Sequence, residues 1–210
     1  MAIIKSGRLT GKVGNMVYYT RKGVQCVRAL PREGQHEPSM AQQAQRLRMK
    51  VVTQHLSPLA PMLNDTFRPL DKKLTGMNKA VRYALQAEAV GGTYPDLHIL
   101  PEKVLVSSGG VQKMRNPALG MDGPGIVALT WQGLSIYDDD DLAYLLLYNV
   151  SNGRVQLAGG DTYRKAMRLS VELGEEMGQG ITYCYGFMMD RLRKSASDSV
   201  FVATLVDGAL

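Results

Sequence analysis

Two rhythms of apolar residues run along the chain. In the first stretch, to about Pro31, the β-rich runs "NMVYYT" and "VQCVRA" flank Arg21-Lys22-Gly23. A short loop containing glycine between two such runs predicts a β-hairpin. Gly7, Gly11 and Gly14 ahead of it predict bulges or tight bends. From about Ser39 to Val90 the spacing becomes helical. Ala44, Leu47, Val51 and His55 predict a first helix capped by Ser39. Ser57-Pro58 predicts the start of a second, striped by Leu59, Met62, Leu63 and Phe67. Thr75 is expected to cap a third, with Met77, Val81, Ala84, Leu85 and Glu88 along one side and Gly91-Gly92 as its stop. Three helices this short cannot form a core alone, so they are expected to pack on each other and on the hairpin.

From Leu97 onward the period falls to two. The runs "LHILPEKVLVS", "GIVALTW", "LAYLLLYN", "RVQLA", "KAMRLSVEL", "GITYCYGFMM" and "SVFVATLV" predict seven short strands separated by Gly, Asn and Asp clusters. That pattern predicts an antiparallel sandwich. The expected fold class is therefore α+β. A basic unit of β-hairpin and short helices spans residues 1–95, and an immunoglobulin-like β-sandwich spans 96–210.

Val127, Leu129 and Trp131 alternate along one run, and Tyr144, Leu146 and Tyr148 along the next. These resemble the second and third strands of a fibronectin type III module. "MGQGITY", Met177 to Tyr183, resembles the approach to the family's tyrosine corner, with Gly180 and Tyr183 in place and Met177 and Gln179 replacing its leucine and proline. Tyr183, Tyr185 and Phe187 share one strand face and are expected to fill the gap between sheets.

Charge adds an asymmetry that the pattern does not show. The chain has 210 residues, 45% of them hydrophobic, and a net charge of +6. Residues 1–100 carry 15 Lys/Arg against 6 Asp/Glu, a net of +9, while residues 101–210 carry 10 against 13, a net of −3. Basic and acidic halves point to a polyanionic partner for the first half or to head-to-tail contact between copies. The candidate contact residues are Lys12, Arg21, Lys22, Arg28, Arg32, Arg46, Arg48 and Lys50, with Tyr18 and Tyr19 nearby as stacking groups for bases.

Other chemistries lack their residues. A P-loop needs G-x-x-x-x-G-K-[ST] between a strand and a helix, but Gly11-Lys12 opens its motif, Val13 follows, and a β-rich run comes next. Asp138 to Asp141 are consecutive, so their carboxylates diverge, and a solvated loop is expected in place of a calcium site. His36, His55 and His98 have no metal-ligand spacing. Glu172, Glu175 and Glu176 read as turn residues, and Cys26 and Cys184 as two free, buried thiols. No catalytic set and no cofactor is expected. No apolar run is long enough to cross a bilayer and no secretion signal is evident, so the expected location is the cytoplasm or a virion.

The motifs "GKVGNMV", "RKGVQCVRALP", "AQQAQRLRMKVV", "LTGMNKAV", "KVLVSSGGV", "ALTW" and "SASDSVFV" follow in that order along the chain. In these the whole chain resembles a family of bacterial proteins of unknown function and of about this length, found mainly in Bacteroidota. The resemblance implies no activity, cofactor or catalytic residue. The expectation is a non-enzymatic structural or protein-interaction protein, with protein partners or self-association, such as a subunit of a phage particle or other multiprotein assembly. The alternative is a nucleic-acid-binding protein using the basic N-terminal half.

Overall fold

A computed structural model describes residues 2–5, 8–30, 37–67, 74–133 and 140–210. The chain divides into two compact units, Met1–Ser39 and Met40–Leu210. The break therefore falls well before the 95/96 boundary expected from the sequence, and the helices belong with the sandwich. The reason is apolar area: the helix stripes find their partner in the outer face of a sheet.

The first unit is a four-stranded antiparallel meander, β1 (Ala2–Lys5), β2 (Arg8–Val13), β3 (Met16–Arg21) and β4 (Val24–Ala29), paired in that order. The expected hairpin is its second half. Lys22 and Gly23 both have positive φ, 48° and 82°, which gives the two-residue turn whose twist matches its flanking strands.

The second unit opens with α1 (Met40–Leu56), a 3₁₀ turn (Ser57–Leu59), α2 (Ala60–Thr66) and α3 (Gly76–Gln86). Ser57 does not cap a new helix. The chain runs from α1 through the 3₁₀ turn with Leu56 at the cap position and no side-chain cap bond. Thr75 does cap α3, its hydroxyl accepting from the Asn78 amide at 3.3 Å. α3 ends before Gly91-Gly92, which lie instead in the hairpin of β5 (Val90–Thr93) and β6 (Asp96–Ile99).

Seven strands follow: β7 (Arg115–Gly123), β8 (Ile126–Gln132), β9 (Leu142–Asn149), β10 (Val155–Tyr163), β11 (Arg168–Glu172), β12 (Ile181–Met189) and β13 (Val200–Val206). They form sheets ordered β11-β8-β7 and β10-β9-β12-β13. Lettered in chain order A, B, C, C′, E, F, G, these are E-B-A facing C′-C-F-G, an immunoglobulin-like, fibronectin type III-like sandwich. The count of seven holds, but "LHILPEKVLVS" supplies only β6 before a 3₁₀ turn at Pro101–Lys103. β7 takes its place, bulged where Pro117 and Asp122 break the register.

The larger sheet is covered on both sides. Ala143, Leu145, Leu147, Cys184 and Met188 face the second sheet and pack with Val127, Leu129, Trp131, Leu169 and Val171. On the opposite face, Tyr144, Leu146, Tyr148, Tyr185 and Phe187 pack with Val52, Leu56, Leu59 and Leu63 from the helices. The aromatic stripe Tyr183, Tyr185 and Phe187 therefore lies under the helical layer and not between the sheets. Thr182 takes the inward position at the corner, its hydroxyl donating to the Met177 carbonyl at 3.3 Å. All eight residues of β9 are buried, as two-sided cover requires.

Candidate interaction surface

Register sorts the side chains of the N-terminal sheet. Lys12 pairs with Val17 and Val17 with Arg28, so these three share a face, and Tyr19, Arg21, Val24 and Cys26 alternate onto it. Leu9, Val13, Met16, Tyr18, Thr20, Gln25, Val27 and Ala29 occupy the other, which carries no charged residue among the described side chains. Three of the predicted cations, Lys12, Arg21 and Arg28, thus stand on one face, spread over about 14 Å along the strands. Lys22 sits in the turn. Arg32 lies outside the described residues.

None of the described side chains of this unit is buried. Val13, Met16, Val24 and Val27 are about half exposed or more, at 48%, 50%, 64% and 53%. A four-stranded sheet normally hides at least one face; here no described side chain of either face is buried.

The remaining cations lie on α1 and part ways there. Arg46 and Lys50, one turn apart, flank a shallow hollow with Gln43, Leu47, Tyr94 and Pro95, and the Tyr94 hydroxyl donates to Gln43 Oε1 at 2.9 Å. Arg48 points to a different hollow beside Glu88 and Val90. An apolar groove of about 470 Å³ runs between α1 and α3, lined by Met49, Met77, Val81, Arg82 and Leu85.

Elsewhere the expected sites resolve into structure. Asp138 and Asp139 lie outside the described residues. Asp141 is no solvated loop residue: it receives Arg164 Nη2 at 2.8 Å and Nε at 3.2 Å, and the Arg164 side chain is almost fully buried. The same guanidinium donates to the Gln112 carbonyl at 2.6 Å, while the Arg164 carbonyl accepts from Trp131 Nε1 at 2.7 Å. This arginine ties one end of both sheets together, and no periodicity signals it. His55 is held between Tyr148 and Tyr183, ring centroids 5.1 and 6.1 Å away, and its Nε2 has no partner among the described residues. Burial lowers its pKa to about 4. His98 lies on β6, and His36 is outside the described residues. Cys184 is buried, which pushes its thiol up to about 12, whereas Cys26 is only half-buried; both are free. Glu175 and Glu176 form a 3₁₀ turn, with Arg154 Nε 3.4 Å from Glu176. No group of three or more His, Cys, Asp and Glu placed to hold a metal ion occurs among the described residues. No helix among them is long and apolar enough to cross a membrane.

Two serine-rich segments about 90 residues apart interlock. Ser107 Oγ donates to the Ser197 carbonyl at 2.8 Å, Ser199 Oγ accepts from the Val106 amide at 2.9 Å, and Ser108 Oγ meets Asp198 at 2.7 Å. Thr66, at the end of α2, donates to the Val106 carbonyl at 2.7 Å, so this clasp fastens the helical layer to the sandwich. A Cβ at Gly109 would stand 2.5 Å from the Ala196 carbonyl oxygen, and only glycine allows that approach. "LTGMNKAV" has a similar role: Gly76 lies so close to α2 that a Cβ would come 2.0 Å from the Leu63 carbonyl oxygen.

The model of DUF6266, a family of unknown function, matches residues 6–202. The chain belongs to this family. Of the motifs that carried the sequence resemblance, "RKGVQCVRALP" holds the Lys22-Gly23 turn, "LTGMNKAV" the Thr75 cap and the Gly76 approach, and "KVLVSSGGV" and "SASDSVFV" the clasp, while "AQQAQRLRMKVV" lies in α1 and "ALTW" in β8. No protein with a curated description matches the chain. Among solved structures, the fn3 domain of human collagen alpha-1(XX) chain is similar over 50% of this chain and 91% of that domain, with 15% identity and a TM-score of 0.35.

Proposed function

We propose that this DUF6266 protein is a non-enzymatic structural or protein-interaction component, a subunit of a multiprotein assembly such as a phage particle, whose N-terminal sheet is the contact surface. One observation carries the reading: a regular four-stranded sheet presents exposed valine and methionine with none of its described side chains buried. Leaving that apolar area in water forfeits about 25 cal/mol per Å², which a protein surface laid against it recovers. The sandwich suits a rigid platform, because its larger sheet is locked from both sides.

A photo-crosslinking residue placed at position 27 of the full chain, expressed in its source cells, tests this. Covalent capture of protein is expected, whether another copy or a different polypeptide. Absence of any protein adduct at position 27, with the chain monomeric throughout purification, refutes it.

A second reading rests on Lys12, Arg21 and Arg28 sharing a face with Tyr19. That face fits a polyanion, and nucleic-acid binding through it would weaken with salt by about 0.9 in log K for each log unit per duplex phosphate neutralised. Retention on heparin or duplex DNA with such a slope, lost in Arg21→Gln/Arg28→Gln, would favour this reading over the first.

A further inference from the structure

We infer that two copies of the chain pack the uncharged faces of their N-terminal sheets against each other, forming a small two-sheet sandwich. This rests on the reading of the sheet as a contact surface and names its partner. The argument begins with how charge is sorted. Lys12, Arg21 and Arg28 all lie on one face, while Leu9, Val13, Met16, Tyr18, Val27 and Ala29 lie on the other with only Thr20 and Gln25 as polar companions. Like charges repel, so two copies cannot stack through their cationic faces at low salt. Stacking through the uncharged faces brings no described ionised side chain of β2 to β4 into the contact and leaves Lys12, Arg21 and Arg28 in water.

The polar groups of that face do not oppose burial. The Gln25 side-chain amide already donates across the sheet to the Leu9 carbonyl at 2.5 Å, and the Tyr18 hydroxyl lies beside the Met16 sulfur at 4.0 Å. The described turns, Gly14-Asn15 and Lys22-Gly23, are tight, so neither of them stands over the face. A two-fold axis would lay this face on its own copy, where uncharged meets uncharged and no like charges oppose, and aligned sheets pack about 10 Å apart.

Area sets the strength. One strand of four residues and three of six, spaced ~4.8 Å, cover ~360 Å² per face, ~720 Å² for the pair before side-chain relief is counted. Specific interfaces begin near ~1,000 Å², so the dimer is weak, with dissociation at micromolar concentration.

Sedimentation velocity on the full chain from about 1 to 200 µM tests this. The mass is expected to rise from the 23.0 kDa of one chain toward twice that value. Met16→Glu and Val27→Glu, both at exposed positions of the uncharged face, are expected to weaken association at least tenfold. Val24→Glu, the same change on the cationic face of the same strand, should leave association in place and controls for folding. Equal loss in Val24→Glu and Val27→Glu overturns the assignment of the face. A chain monomeric at every concentration but crosslinked to a different protein through position 27 overturns this inference and leaves the interaction reading standing. A chain monomeric and uncrosslinked sinks both.

Discussion

His55 offers the sharpest energetic test of the packing between helices and sheet. The imidazole is largely buried under α1 against Tyr148 and Tyr183, and desolvation lowers its pKa from 6.5 to about 4. In the folded chain it therefore stays neutral down to about pH 4, while in the unfolded chain it takes up a proton below about 6.5. Between those values the unfolded state binds more protons, so stability falls as pH falls. The full difference is worth about 3 kcal/mol, of which about 2 kcal/mol is already lost at pH 5. Carboxylates also titrate in this range, and His55→Leu separates the two contributions, since leucine cannot be protonated. Urea unfolding followed by the fluorescence of Trp131, the only tryptophan and a member of the intersheet core, reports on the second unit. Between pH 7.5 and pH 5 the native chain is expected to lose about 2 kcal/mol more than His55→Leu. Identical losses would show that the imidazole is solvated and that the helices do not seal this face.

Three other predictions follow from single contacts. Arg164→Met removes a buried guanidinium that bonds both Asp141 and the Gln112 carbonyl, and should cost about 3–5 kcal/mol, read as a lower thermal midpoint. Gly76→Ala forces α3 away from the Leu63 carbonyl and should cost at least about 1–3 kcal/mol by the same measurement, whereas an exposed helix position would gain from alanine. A thiol reagent at neutral pH should modify Cys26 in the folded protein and Cys184 only after unfolding, as mass spectrometry of the peptides would show.

Much of the architecture was legible because periodicity is a local signal. The Lys22-Gly23 turn, the Thr75 cap and the cores of β8, β9, β12 and β13 all stand where spacing placed them. Tyr183 shows where the signal ends: alternation tells which residues share a face, but not which of two covered faces they occupy. An unbroken apolar run such as "LAYLLLYN" marks burial on both sides, and that was the available clue to a helical lid over the sheet. β7 escaped because proline and two glycines dilute its pattern, and the domain boundary because a helix stripe does not name its partner. Arg164 and the serine clasp join residues far apart in sequence, which periodicity cannot pair. Of the candidate site, the common face of Lys12, Arg21 and Arg28 follows from strand register alone, whereas the exposure of the described side chains on both faces needed the fold.

Hydroxyl-radical footprinting of methionines in the full chain tests the N-terminal sheet as a contact surface most directly. Met16 and Met167 are 50% and 48% exposed in the single chain, so they should oxidise at similar rates when dilute. At the concentration where the protein associates, Met16 oxidation should fall several-fold while that of Met167 stays unchanged. Oxidation of Met16 that keeps pace with Met167 in the associated state would contradict the account.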